Sequence, residues 1–349
     1  MRKGIVILIG ILLVIGGFLF LWYRNPLVEK AAQSGVDSVK KAVLHPLAIE
    51  SLRVIETPGS ELVIEETLSN GSNYRRFIAS YDSDGYKQYG LLTIPEGEKP
   101  ESGWPVIIFN HGYVPPTEYR TTERYIAYTD AFSRNGYILF RPDYRGHGES
   151  EGTAGGGYSS NDYVIDVLNA LESVRAHPDA DKTRMGMWGH SMGGHITLRT
   201  MVVRDDIKAG VIWAGVVGSY EDLLYNWHRR GTTVTPLPSV TITSTRGGRW
   251  RQLFVDQFGT PEDNKTFWDS ISATSYLSDI SGPLQIHHGT ADSSVPVAFS
   301  EQLDERLKNA RQESELFIYE GDDHNISAHL RIALERSVAF FDEHVKGEE

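Results

Sequence analysis

The amino-acid sequence predicts an α/β fold in which a mostly parallel sheet carries helices on both faces, preceded by one apolar N-terminal helix. Three observations carry that prediction. From residue 106 onward, short apolar runs alternate with helical stretches, the pattern of a parallel sheet covered on both faces. Between Ser51 and Pro95, β-rich runs are separated by Pro-Gly, Asn-Gly and Asp-Gly, which reads as antiparallel strands joined by turns. Residues 4–23, finally, contain no charged side chain.

That apolar run, GIVILIGILLVIGGFLFLWY, follows Met1-Arg2-Lys3. At 1.5 Å per residue, a helix of about 20 residues spans a hydrocarbon core of about 30 Å. A secretory signal has a shorter apolar stretch of about 7–15 residues and a small-x-small cleavage site, which LWYRNPLVEK does not supply. The expectation is therefore an uncleaved transmembrane anchor over residues 1–24, with a cleaved signal and a secreted product as the alternative. Trp22 and Tyr23 suit the membrane interface, and Arg2, Lys3 and the free amine favour a cytoplasmic start, which places the catalytic part outside the cytoplasm. Residues 25–50 read as a tether, with Val36, Val39, Val43 and Leu44 at near-helical spacing and Pro46 as the break.

Residues 51–349 form the main domain. It begins with the strands ELVIEETL, YRRFIASY and YGLLTI. The alternation that follows runs through VIIFN (106–110), a helix near 122–134, YILFR (137–141), a helix near 161–176 and RMGMW (184–188). It continues through a helix after Ser191, AGVIWA (209–214), LQIHH (284–288), a helix near 298–310, LFIYE (316–320) and a last helix near 327–345. Between AGVIWA and LQIHH the rhythm breaks for about seventy residues, and a long insertion in a compact domain is a lid or binding loop when it is ordered. Residues 219–275 are expected to cap the site, and Trp227, Trp250 and Trp268 either line a side-chain pocket or pack the cap.

Composition narrows the function. A chain of 349 residues with 40% hydrophobic and 23% charged residues is an ordinary globular protein. A net charge of −12 without a Lys/Arg stripe argues against nucleic acid as a partner. The absence of cysteine removes disulfides, thiolate metal sites and a cysteine nucleophile. His190 and His195 are five apart and lack the glutamate and spacing of H-E-x-x-H, and EGTAGGGYSS lacks the P-loop lysine. Neither a metal nor an organic cofactor is expected. The oligomeric state is left open.

The chemistry centres on Gly189-His190-Ser191-Met192-Gly193. Ser191 follows a buried-strand candidate and precedes a helix, the strand–turn–helix setting of a nucleophile elbow. A serine hydroxyl needs a base to take its proton, and the base needs a carboxylate to hold its tautomer. Asp292, in HHGTADSSVP, and His324, in YEGDDHNIS, each fall in a loop after an apolar strand. The order Ser–Asp–His is that of the α/β-hydrolase arrangement, and loops at the carboxyl ends of parallel strands can converge. Asp322 and Asp323 are rival acids, and His287, His288 and His329 are rival bases, read as strand or helix residues with packing or surface roles. For the oxyanion hole, the amide of Met192 is joined by Tyr113 in VIIFNHGYVPP, through its amide or its hydroxyl.

NHGY, RPDYRGHGES, GHSMGGH, the stretch FGTPEDNKTFWDSISATSYLSDISGPLQIHHGTADSSVP and YEGDDHNIS occur in that order. Together they resemble the catalytic domain of the prolyl oligopeptidase family of α/β hydrolases, which includes dipeptidyl aminopeptidases and acylaminoacyl peptidases. The resemblance covers roughly residues 85–345. It implies Ser191 as nucleophile, Asp292 as acid and His324 as base, acting on peptide or other amide bonds. Ahead of the matching part there is no room for the family's β-propeller, and the HGY loop is also similar to that of bacterial acetyl esterases. The expected activity is that of a membrane-tethered serine hydrolase taking a short peptide or a small ester, with a carboxylesterase as the alternative. A hydrolase-like binding protein with a silent site is a further one.

Overall fold

The structure, a computed structural model, describes residues 44–227 and 249–347. The expected membrane anchor, most of the tether and the Thr/Ser/Pro-rich part of the insertion lie outside these residues. Among the described residues no helix is long and apolar enough to cross a membrane.

A nine-stranded sheet forms the frame. Strands β1 (Val63–Leu68), β2 (Tyr74–Ser83) and β3 (Tyr86–Pro95) make an antiparallel meander. Asp84 and Gly85 turn β2 into β3 with φ of 51° and 79°, the left-handed pair that a two-residue hairpin requires. β3 pairs antiparallel with β5 (Ile138–Pro142). From β5 onward the pairing is parallel, through β4 (Trp104–Asn110), β6 (Ala180–His190), β7 (Ala209–Trp213), β8 (Leu284–Gly289) and β9 (Ser314–Tyr319). The sheet order is β1-β2-β3-β5-β4-β6-β7-β8-β9.

Successive side chains of a strand face opposite sides, and β4 feeds two cores. Val106 and Ile108 join one with residues of α3 (Asp162–Arg175), α4 (Met192–Val203) and α8 (Ala298–Asn309). Ile107 and Phe109 join the other with residues of α2 (Ile126–Ser133) and α9 (Leu330–Phe341). Burial on both faces accounts for the unbroken apolar runs of these strands. The body begins ahead of Ser51: Leu47, Ala48 and Ile49 are buried, and α1 (Ile49–Arg53) packs Leu52 into the first core.

Two helix starts differ from the sequence reading, each for a visible reason. α2 begins at Ile126 rather than near 122, because the carbonyls of Thr121, Glu123 and Arg124 are drawn inward to the buried Arg141 guanidinium. α9 begins at Leu330 rather than near 327, because Asp322 and Asp323 accept the amides of residues 325 and 327–329 and hold a turn there.

The described part of the insertion contributes α5 (Tyr220–Tyr225), α6 (Arg249–Phe258) and α7 (Lys265–Ile271). Phe254, Trp268 and Ile271 bury together with Tyr220 and Leu47. Trp268 thus packs the insertion. Trp227 instead reaches the Asp292 loop, its Nε1–H donating to the Ser294 carbonyl at 2.9 Å.

Candidate active site

Three loops at the carboxyl ends of β6, β8 and β9 carry the residues singled out by sequence. Ser191 stands between the end of β6 and the first residue of α4, with φ 55° and ψ −116°. That region is costly for a residue with a Cβ, so the surroundings must hold it. Ser191 N–H donates to the Trp213 carbonyl at 3.0 Å, and the Ser191 carbonyl accepts from Val216 and Gly194, each at 3.0 Å. The elbow packs against the end of β4 so closely that a Cβ on Gly193 would run into the Asn110 carbonyl oxygen. Glycine at that position is a steric requirement.

Asp292 and His324 meet. His324 Nδ1–H donates to Asp292 Oδ2 at 2.6 Å, so Nε2 is the unprotonated nitrogen of the neutral ring. The same oxygen accepts from His288 Nε2–H at 3.1 Å, and Oδ1 accepts the amides of Ser294 at 2.7 Å and Val295 at 3.0 Å. Burial by itself would raise the carboxyl's pKa, but the hydrogen bonds from His288 and His324, the His324 charge and the Val295 amide outweigh it. Asp292 is held well below the usual carboxylate range.

His324 also lies beside the elbow. Its ring centroid is 4.6 Å from that of His190, the residue before Ser191, and its carbonyl accepts from His190 Nε2–H at 3.0 Å. The loop after β4 approaches from the other side. A Cβ on Gly112 would stand 3.2 Å from Ser191 Cβ, so the backbone leading into Tyr113 runs against Ser191. The amides of Tyr113 and Met192 have no hydrogen-bond partner among the described residues. The Tyr113 side chain is 61% exposed.

Residues 105–247 match the family described as Serine aminopeptidase, S33, and residues 267–341 match the Dienelactone hydrolase family. The chain has the α/β-hydrolase fold, and both matched segments are similar to hydrolase families. Among its relatives, the uncharacterized peptidase YuxL of Bacillus subtilis is 29% identical over 272 residues, 75% of this chain and 38% of the relative. The chain thus spans well under half of that protein's length. Two solved structures share the fold. The acylaminoacyl peptidase of Pyrococcus horikoshii superposes with a TM-score of 0.62 at 22% identity, over 80% of this chain and 43% of that one. Est1E from Butyrivibrio proteoclasticus, solved with ferulic acid, gives 0.56 at 21%, over 76% of this chain and 99% of that one.

The other acids and histidines weighed from the sequence make different contacts. Asp322 and Asp323 hold the turn before α9, and His329 Nδ1 pairs with Asp322 at 2.8 Å. His287 is buried between Tyr319 and Gln285, at 2.8 and 2.7 Å. Sequence reasoning missed three partners of the site. His288, read as a strand residue, supports Asp292 while its Nδ1 accepts from Ser300 at 2.7 Å. His190 and Tyr125 are joined at 2.8 Å across 65 positions of sequence, a separation that no local pattern discloses.

Proposed function

We propose that this protein is a serine hydrolase that cleaves peptide or other amide bonds, or carboxylic esters, through an acyl-enzyme formed on Ser191. Ser191 Oγ attacks the carbonyl carbon while His324 Nε2 takes its proton, and the amides of Met192 and Tyr113 receive the developing oxyanion. His324 then returns the proton to the leaving amine or alcohol. In the second half it activates water against the acyl-enzyme, and Ser191 recovers its proton. Asp292 keeps the imidazole in the Nδ1–H tautomer and stabilises the imidazolium. The 2.6 Å contact between His324 and Asp292 is the observation that carries this reading.

The peptidase relatives and the serine aminopeptidase match support amide cleavage. The likeness in fold to the acetyl xylan esterase of Paenibacillus sp. R4, at a TM-score of 0.62, supports a small-ester reading as the alternative. The full-length protein assayed with p-nitrophenyl esters and with aminoacyl and Xaa-Pro p-nitroanilides, each beside Ser191→Ala, separates them. Amide turnover that Ser191→Ala abolishes supports the peptidase. Ester turnover alone supports the esterase. Failure of a fluorophosphonate to label the protein supports a silent binding site.

Membrane tethering with an extracytoplasmic catalytic part belongs to the same proposal, on the strength of the charge-free run at residues 4–23 and its flanks. Recovery of the native protein in the membrane fraction, released only by detergent and digested by protease added to intact cells, is the expected result. A cleaved product in the medium would point to the signal-peptide alternative.

A further inference from the structure

Tyr125 and Arg124 precede α2 with φ of 51° and 57°, two consecutive non-glycine residues in the left-handed region. Such strain persists only where the surroundings over-determine it. Here they do. Arg141, 1% exposed, donates to the carbonyls of Thr121, Glu123 and Arg124, at 3.0 Å to Glu123 and 2.9 Å to Arg124. The Tyr125 ring sits edge-on to Phe109 at 5.4 Å. The turn and the ring together bring the Tyr125 hydroxyl to the junction of three loops.

Its hydrogen bonds have one consistent direction. The Gly112 amide can only donate, and does so to Tyr125 Oη at 2.9 Å. The His324 carbonyl can only accept, so His190 carries its proton on Nε2, 3.0 Å away. His190 Nδ1 is then an acceptor and takes the Tyr125 hydroxyl proton at 2.8 Å. The chain runs from Gly112 N–H to Tyr125 O–H to His190, and from His190 Nε2–H to the His324 carbonyl. Burial, then the nearby His324 charge, lowers the His190 pKa to about 3, and burial pushes that of Tyr125 up to about 12. Neither group changes protonation near neutral pH, so the directions of the bonds are fixed.

We infer that Tyr125 and His190 are positioning residues that clamp the Gly112–Tyr113 backbone, the Ser191 elbow and the His324 backbone into one unit. The inference rests on the proposed roles of Ser191, Tyr113 and His324. Its consequence is specific: without the clamp, the Tyr113 amide and the His324 ring lose their register with Ser191. The fold is spared, because the Tyr125 ring keeps its packing when only the hydroxyl is removed.

The test is steady-state turnover of p-nitrophenyl acetate by the full-length protein, with Tyr125→Phe, His190→Leu, His190→Gln and the double variant Tyr125→Phe/His190→Leu, beside Ser191→Ala. Tyr125→Phe and His190→Leu are expected to lower kcat about 10- to 100-fold, on the scale of a misplaced oxyanion donor, with KM changed less than about twofold. The double variant should be no worse than the worse single one, since both break the same chain. His190→Gln, which retains a donor for the His324 carbonyl, should recover much of the His190→Leu loss. If His190→Leu does not fold, Tyr125→Phe decides alone through kcat against KM. Wild-type kcat in Tyr125→Phe, additive losses in the double variant, or a rise confined to KM would overturn the inference. Full activity in Ser191→Ala would instead overturn the reading beneath it.

Discussion

Asp292 Oδ2 accepts two imidazole N–H groups at once, from His324 at 2.6 Å and from His288 at 3.1 Å. One histidine faces the elbow and the other belongs to the strand below, so the carboxylate is fixed from both sides before any substrate binds. Its remaining oxygen is held by the Ser294 and Val295 amides. This saturation makes the consequences of altering Asp292 calculable.

Asp292→Asn should preserve the fold and lower kcat by about 10⁴-fold, because an amide NH₂ facing Nδ1 favours the wrong imidazole tautomer. Ester turnover beside a thermal melt checks both halves of the statement. A loss of less than about tenfold would place the supporting carboxylate elsewhere.

Asp292 also links pH to stability. Its folded-state pKa lies below the unfolded value of about 3.9. Its contribution is therefore complete well above that value and fades as pH falls through 3.9 toward the depressed folded pKa. The difference in melting temperature between wild type and Asp292→Asn should be constant from about pH 6 to pH 8 and shrink below about pH 4. A difference that grows on acidification would contradict the hydrogen-bond arrangement.

Gly112→Ala places a methyl 2.9 Å from Tyr125 Oη, 3.1 Å from His190 Nδ1 and 3.2 Å from Ser191 Cβ. The loop must shift away from Ser191. Turnover should fall by about 10²-fold, the scale of a displacement of about 1 Å at a reacting group, with little change in melting temperature. Steady-state kinetics and a thermal melt measure the two.

Arg199 is buried, and its donors go to the carbonyls of Ile271 at 2.5 Å and Leu47 at 2.6 Å and to Asn161 Oδ1 at 2.7 Å. It joins α4 to the insertion and to the segment before α1. Arg199→Leu removes these three charge-assisted hydrogen bonds from a buried site and should cost on the order of 3 kcal/mol. Urea denaturation gives the value directly, and a cost below about 0.5 kcal/mol would show that the acceptors find other donors.

The frame of this molecule was legible because strands buried on both faces are rich in apolar residues: VIIFN and LQIHH lie within sheet strands, and YILFR overlaps one from Ile138 to Arg141. The Gly-x-Ser-x-Gly setting was legible for a related reason, since the approach of Gly193 to the Asn110 carbonyl leaves no room for a side chain. Element ends were not. Arg141 delays α2, and Asp322 and Asp323 delay α9, through contacts that propensity does not encode. The supporting shell was hidden for the same reason. Tyr125, His190 and His288 look like ordinary aromatic and strand residues until the fold brings them to Gly112, His324 and Asp292.

Fluorophosphonate labelling of the full-length protein, followed by mass spectrometry of the peptides and a parallel ester assay of Ser191→Ala, decides whether Ser191 is the nucleophile. The expected result is one adduct, on Ser191, and loss of turnover in the variant to near the uncatalysed rate. Labelling at another serine, or turnover retained in Ser191→Ala, would contradict it.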